Sequence, residues 1–382
     1  MHFTRIELKN WRNFKKVDIP LGLRSYLIGA NASGKSNLLD VFRFLRTLAQ
    51  SEGGGLQKAL KERKGLKKLR SLYAREDPTV RIKVCLEDHK ETLWTYTLAF
   101  RSEAKGANRT LVAEECVTRD GKVLLKRPNK GDEADPERKL QTHLEQTNNN
   151  KAFRELAKHF SDTTYLHLVP QLLKHSDEMG SRLVENDPFG QGLMQRIAKT
   201  PTRTRDARLK RIQNSLGQAI PQFSELRFIR DEITTHWHFE AKFNNWRPHG
   251  AWQREEQFSD GTLRLIGLLW ALQESNGLLL LEEPELSLNS EIVRHIPRMV
   301  ARVLRERGKH RSNCQVLMST HSEELLAEVD GTDVLLIVPA EKDNGSTIRG
   351  PTPDELREMK YLTPAEVMSV QTYPKKLDKF GL

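Results

Sequence analysis

The sequence predicts an α/β fold: buried strands that end in polar turns, an antiparallel β meander and a helical insertion. Three observations predict it. A glycine-rich loop sits between a short apolar strand and an apolar-periodic helix. A run of four leucines, Leu278-Leu279-Leu280-Leu281, ends in the acids Glu282-Glu283. Turn signals divide residues 79–127 into four alternating segments.

Taken in order, residues 3–9 alternate and residues 23–28 form a short apolar strand. Leu38, Leu39, Val41, Phe42, Leu45 and Leu48 then recur at helical spacing. The stretch 51–76 breaks at Ser51-Glu52-Gly53-Gly54-Gly55 and turns basic. Strands are expected at 79–86, 92–100, 110–118 and 122–126, with Asp120-Gly121 as one turn. Residues 128–150 read as a polar loop, and 151–217 as mostly helical with breaks near Asp187-Pro188 and Thr200-Pro201. Strand signals return over 225–243. A helix is expected at 262–274, a buried strand at 277–282, a helix at 289–307 and buried strands at 314–319 and 334–338, followed by a polar tail. This divides the chain into an N-terminal lobe (1–127), a helical insertion (128–224) and a C-terminal lobe (225–382).

The 382 residues carry a net charge of +11, a balance that favours a polyanionic partner such as nucleic acid. Cys85, Cys116 and Cys314 are scattered and odd in number, which reads as buried thiols. The start, Met1-His2-Phe3-Thr4-Arg5, runs directly into a strand pattern, and no apolar run approaches the roughly 20 residues of a membrane helix. A cytoplasmic protein without a membrane segment is expected.

Four constellations carry chemistry. Gly29-Ala30-Asn31-Ala32-Ser33-Gly34-Lys35-Ser36 is the phosphate-loop pattern, in the strand–loop–helix context it requires. Its backbone N–H groups and the start of the helix favour phosphate. Lys35 is expected to reach the β- and γ-phosphates of ATP, and Ser36 to hold Mg²⁺; Asn31, Ser33, Gly34 and Asn37 complete the nucleotide-binding set. The leucine run ending at Glu282-Glu283-Pro284-Glu285 reads as a central strand whose C-terminal end faces the ligand crevice. Glu282 is expected beside the metal, and Glu283 as the residue that orients or deprotonates the attacking water. In Phe258-Ser259-Asp260-Gly261-Thr262, Ser259 either caps the next helix or, with Gly261, forms a second phosphate cradle. One ATP has no need of two cradles in one chain, but two chains facing head to tail would use one from each. Met318-Ser319-Thr320-His321-Ser322 places His321 at a strand end, in reach of a γ-phosphate.

In this order the four motifs resemble those of ABC-type ATPases: RecF and SMC heads, and more closely the ATPase module of OLD-family proteins and their anti-phage relatives. The resemblance implies a P-loop NTPase fold of the ABC-ATPase head type, with an antiparallel β meander and a helical insertion. Leu8-Lys9-Asn10-Trp11-Arg12-Asn13-Phe14 is similar to the family's first strand and turn, which implies Arg12 and Asn13 near the nucleotide. It also implies that Ser259 and Gly261 bind the γ-phosphate held by the other subunit, that Asn289 lies in the dimer-contact loop and that His321 is the switch histidine. The first acid is Glu282 where the family has Asp, and no glutamine near residues 70–90 fits the family's Q-loop.

OLD-type proteins carry a TOPRIM nuclease after the ATPase. Val334-Leu335-Leu336-Ile337-Val338-Pro339-Ala340-Glu341 is only faintly similar to its start, and no Asp-x-Asp follows. A terminal strand is the expectation, with no nuclease in this chain, and long heptads are missing. The resemblance therefore implies an ATP-hydrolysing homodimer or higher homo-oligomer, with a separate effector, nuclease or toxin, in anti-phage defence. A nucleotide-gated scaffold with little turnover and a RecF-like repair ATPase are the alternatives. Two basic runs, Lys58 to Arg70 and Arg203 to Arg211, are either solvated helix faces or contacts for a nucleic-acid backbone without sequence preference. Trp237, Trp246 and Trp252 read as packing residues.

Overall fold

In the computed structural model, residues 1–103, 108–175, 189–244, 252–309, 314–339 and 345–372 are described. Trp246, Asp187, Pro188, Ala340 and Glu341 lie outside them. The chain opens with β1 (His2–Trp11), β2 (Phe14–Pro20) and β3 (Arg24–Ile28), then α1 (Lys35–Ala49), α2 (Leu56–Glu62) and α3 (Leu66–Leu69). The meander is β4 (Val80–Glu87), β5 (Leu93–Ser102), β6 (Thr110–Arg119) and β7 (Lys122–Arg127). The middle holds α4 (Lys130–Ala134), α5 (Arg154–Ser161), β8 (Thr164–Leu166), α6 (Pro170–Lys174), α7 (Leu193–Lys199) and α8 (Thr202–Ala219). β9 (Phe223–Arg230), β10 (Trp237–Phe243) and β11 (Trp252–Arg254) lead into α9 (Asp260–Glu274), β12 (Leu278–Glu282), α10 (Ser290–Lys309) and β13 (Gln315–Ser319). The last described elements are α11 (Glu323–Leu326), β14 (Val334–Val338), β15 (Thr347–Arg349), α12 (Pro353–Glu358) and α13 (Pro364–Thr372).

Among the described residues, the strands form three sheets. One is antiparallel, in the order β2-β1-β4-β5-β6-β7, and a smaller one runs β11-β10-β9. The third runs β15-β14-β3-β13-β12-β8, and its members other than β15 are parallel. Alternation in β1, β2 and β4 turns one face inward, as a sheet packed on one side requires. The strands β12 and β13 are apolar on both faces, as a covered parallel sheet requires.

Two apolar cores result. The first gathers the antiparallel sheet, α1 and α5, with Phe3, Phe42 and Phe160 in ring contact. The second gathers the other face of the parallel sheet with α8, α9 and α10. A buried amide links the two larger sheets. Gln315 donates to the carbonyls of Phe3 and Gly22, at 2.8 and 2.7 Å, and accepts from Phe3 N at 2.9 Å. A buried primary amide with its groups satisfied contributes rigidity instead of a desolvation penalty.

The chain departs from the sequence expectations in several places. The stretch expected as a loop over 128–150 folds back on the meander. Arg127, buried at the end of β7, donates to Asp132 at 2.7 Å and Glu115 at 3.0 Å, and Glu115 also accepts from the backbone of His143 and Leu144. Asn129 caps α4 with a reciprocal bond from Asp132. β8 is a strand inside the segment expected as mostly helical, and the tail carries α12 and α13. Cys314 is buried, but Cys85 and Cys116 are only half-buried, because they sit on the side of β4 and β6 turned away from the core. Among the described residues, no helix is long and apolar enough to cross a membrane.

Candidate functional site

Parallel strands present their C-terminal ends along one edge, where a crevice can form beside the strand-order switch. Here that edge collects the predicted residues. β3 runs into the glycine loop, β12 ends in Glu282-Glu283, β13 ends before Thr320-His321, and β8 ends before His167.

The loop is tightly held. Ala32 and Gly34 have φ of 61° and 119°, so the backbone curls back on itself. A Cβ at Gly34 would overlap the side-chain amide of Asn13. That amide donates to Ser33 O at 2.6 Å and accepts from Asn37 at 2.7 Å. Asn13, Ser33, Gly34 and Asn37 are therefore one unit. Asn31 is exposed at the tip. Lys35 Nζ points back into the loop, donating to Gly29 O at 2.8 Å and Ala30 O at 3.1 Å. Burial draws its pKa down to about 8, against the pull of Glu283, Glu282 and Glu285.

Ser36 Oγ donates to one carboxylate oxygen of Glu282, and the Tyr165 hydroxyl donates to the other. Glu283 has φ of 45°, and its N–H is held by Ser319 O at 3.0 Å. Such left-handed backbone costs on the order of 1 kcal/mol or more and persists where surroundings over-determine it. Glu283 Oε1 lies 3.1 Å from His321 Nε2. Glu285, the acid after Pro284, is buried; its Oε1 accepts from Thr320 Oγ1 at 2.6 Å and His321 N at 3.1 Å. Burial raises the Glu285 pKa, and burial beside Lys35 lowers that of His321.

The arrangement fits a nucleotide with a hard divalent cation. Ser36 and Glu282 form an oxygen donor pair of the kind Mg²⁺ takes. Among the described residues, the buried hydroxyls of Ser33 and Ser319 find no hydrogen-bond partner, so polar capacity remains beside the loop.

Other predicted residues lie apart. The Arg12 guanidinium is bound to Asp40 of α1 at 2.6 Å, and Arg63 meets the same carboxylate at 2.7 Å. This pairing occupies Arg63, one of the residues read into the first basic run, while Lys61, Lys64, Lys67 and Lys68 are exposed. In the second run Arg203, Lys210 and Arg211 are exposed, whereas Arg205 and Arg208 lie over the rings of Trp237 and Trp270. Trp237 also stacks on Phe228, and Arg227 covers Trp252.

Ser259 is the N-cap of α9, accepting from Thr262 N at 3.1 Å, and remains exposed. The turn before it is anchored by buried Glu255, which meets His238 Nδ1 at 2.7 Å and accepts from Phe239 N at 2.8 Å. Gly261 faces the turn after β12: a Cβ there would lie 2.6 Å from Ser287 O. Asn289 caps α10 through Glu291 N at 2.9 Å. Tyr165, His167, Asp40 and Glu285 were not singled out in sequence. Glu285 had a signal, as the third acid of an acid cluster after a buried strand; Tyr165 and His167 had none.

A profile of the family described as "AAA domain, putative AbiEii toxin, Type IV TA system" matches residues 25–327. Over 45 residues the chain is 47% identical to "Endonuclease GajA" of Bacillus cereus (strain VD045), a match covering 12% of this chain and 8% of that one. The chain thus matches only a small part of the length of that curated relative. The fold is similar to a crystal structure of an Smc head bound to the C-winged helix domain of ScpA, with a TM-score of 0.57, 16% identity and coverage of 93% of this chain and 99% of that one. It is also similar to a Smc head domain with an extended coiled coil, bound to the C-terminal domain of ScpA and derived from Pyrococcus furiosus. That likeness has a TM-score of 0.53 and 14% identity over 94% of this chain and 98% of the other. The fold is that of the Smc head domains.

Proposed function

The chain belongs to the family described as AAA domain, putative AbiEii toxin, Type IV TA system, and from that premise we propose an ATPase that closes as a pair of subunits around ATP and Mg²⁺ and governs a separate effector. The observation that carries the reading is the pairing at the strand ends: Ser36 with Glu282, and Glu283 with His321 at 3.1 Å. These are the two jobs phosphoanhydride hydrolysis needs, a cation holder and a base beside a polar partner.

The roles follow from position. The curled loop offers backbone N–H groups and the Lys35 ammonium to phosphate. Ser36 and Glu282 would hold the cation, which would supply positive charge to offset charge on the phosphate. Glu283 accepts the proton of the attacking water. His321, kept neutral by burial and by Lys35, presents an Nε2–H that orients the Glu283 carboxylate. Ser259, exposed at the N-cap of α9, and the half-buried Gly261 serve a second subunit's nucleotide, with Asn289 in the contact between subunits. Asn13, Asn31, Ser33, Gly34 and Asn37 shape the nucleotide pocket, and Arg12 supports it through Asp40.

Defence against phage is the setting we favour, from the resemblance of the four motifs to OLD-family proteins and their anti-phage relatives; the short likeness to Endonuclease GajA adds a nuclease among the relatives. A nuclease or toxin encoded separately is the effector expected there. The exposed lysines of the first basic run and Arg203, Lys210 and Arg211 suit a nucleic-acid backbone without sequence preference. The test is ATP turnover with the candidate effector and nucleic acid present. Hydrolysis that depends on Lys35 and Glu283 supports the reading, and absence of turnover with intact ATP binding leaves a scaffold in its place.

A further inference from the structure

Residues 165–174 touch both halves of the site. At one end, Tyr165 donates to Glu282 Oε2 while Ser36 donates to Oε1. His167 Nδ1 lies 3.3 Å from the Glu282 carbonyl oxygen, an acceptor only, so this ring nitrogen carries the proton there. At the other end, Gln171 Nε2 and Lys174 Nζ donate to the two oxygens of Asp260, at 2.6 and 2.7 Å. Asp260 is the first residue of α9 and follows Ser259 directly.

The span between these ends is packed. Leu168 is buried against α9 at Gly267, where a Cβ would lie 3.1 Å from both Leu168 methyl carbons. Glycine at 267 thus permits the close crossing. Pro170 opens α6 with its φ already set, after an extended Val169. The upstream end is fixed by β8, which pairs in parallel with β12 from Leu279 to Leu281.

Glu282 divides its two carboxylate oxygens between Ser36 and Tyr165. A changed demand on one oxygen is therefore felt at the other. Tyr165 stands at the head of a short segment whose far end grips Asp260. We infer that residues 165–174 form a strap that couples the cation-side carboxylate Glu282 to the N-terminus of α9, so that loading of one half-site sets the pose of Ser259 in the other. The inference rests on the nucleotide site proposed above. Tyr165, Gln171 and Lys174 are positioning residues, since none of them touches a reacting atom.

The experiment is hydrogen exchange, read by mass spectrometry, on peptides covering residues 258–264 of the full chain, with and without ADP and Mg²⁺. ADP lacks the γ-phosphate that a second subunit would engage, so the readout stays within one chain. In the unaltered protein, Mg²⁺ and ADP together slow exchange at 258–264 by about threefold or more. Tyr165→Phe keeps the ring and removes the hydroxyl. It abolishes most of this slowing at ADP and Mg²⁺ concentrations that saturate the folded variant. Lys174→Met does the same from the other end, Lys174→Arg restores the slowing, and this pair decides the matter if Tyr165→Phe fails to fold. Full slowing retained in Lys174→Met or in a folded Tyr165→Phe overturns the strap. So does an unaltered protein that binds ADP with no change at 258–264. A protein that binds no ADP at all overturns the nucleotide-site reading itself, and the strap with it.

Discussion

Glu283 Oε1 stands 3.1 Å from Nε2 of His321, a contact that ties the end of β12 to the end of β13. A neutral His321 in its Nε2–H tautomer would donate to one carboxylate oxygen and leave the other for a proton from water. Glu283→Gln is expected to lower ATP turnover by about 10²-fold or more, the usual contribution of a positioned base. Fluorescent-nucleotide binding should stay unchanged. His321→Ala should cost less, because the carboxylate remains.

Gly261 marks where α9 meets the turn after β12. Alanine there would set a Cβ 2.6 Å from Ser287 O, and backbone cannot yield as a flexible side chain can. Gly261→Ala is expected to weaken ATP-driven association about tenfold or more, equivalent to roughly 1.4 kcal/mol. Nucleotide binding to the single chain should persist. Equilibrium sedimentation with ATP checks it.

The glycine loop, the Glu282-Glu283 turn and His321 were legible because each announces itself locally. Leucines that leave no polar face, a glycine cluster after a strand, and a polar turn after a buried strand are all short-range signals. The meander was legible for the same reason, through alternation and turns. Tyr165 was not. It sits in a three-residue strand between helices, and its partner Glu282 lies 117 positions away. The network of Arg127, Glu115 and Asp132 was also hidden. Charged residues read as solvated until distant chain covers them, so 128–150 looked like a loop. Arg12 shows the converse: the resemblance implied a place near the nucleotide, but its guanidinium is held by Asp40, a pairing that depends on the packing of α1.

Two histidines set a pH response in stability. Burial lowers the His159 pKa to about 3, and burial with nearby Arg127 lowers that of His143 to about 4. Both folded values lie below the unfolded value of about 6.5. Each histidine therefore contributes fully above pH 6.5, and the contribution fades as the unfolded chain takes up protons below it. The slope is at most about 1.4 kcal/mol per pH unit for each group. Burial raises the Glu145 pKa to about 7, which works in the opposite direction over the same window. The His159 share is therefore read as a difference: between pH 7 and pH 5 the denaturant midpoint of His159→Phe should drop less, or rise more, than that of the unaltered chain.

Arg127 is buried between two carboxylates. Arg127→Met should destabilise the chain by roughly 3–5 kcal/mol, because Glu115 and Asp132 are then buried without their cation. Changing Glu115 and Asp132 to Gln and Asn in the same chain should recover part of that loss. Urea titration of the single and triple variants reads both values.

A site shared between two subunits is tested most directly by the mass in solution, by light scattering, of the Glu283→Gln protein with and without ATP and Mg²⁺. ATP with Mg²⁺ is expected to drive or tighten a dimer, and Ser259→Arg to abolish the effect. A mass equal to one chain under both conditions would contradict it.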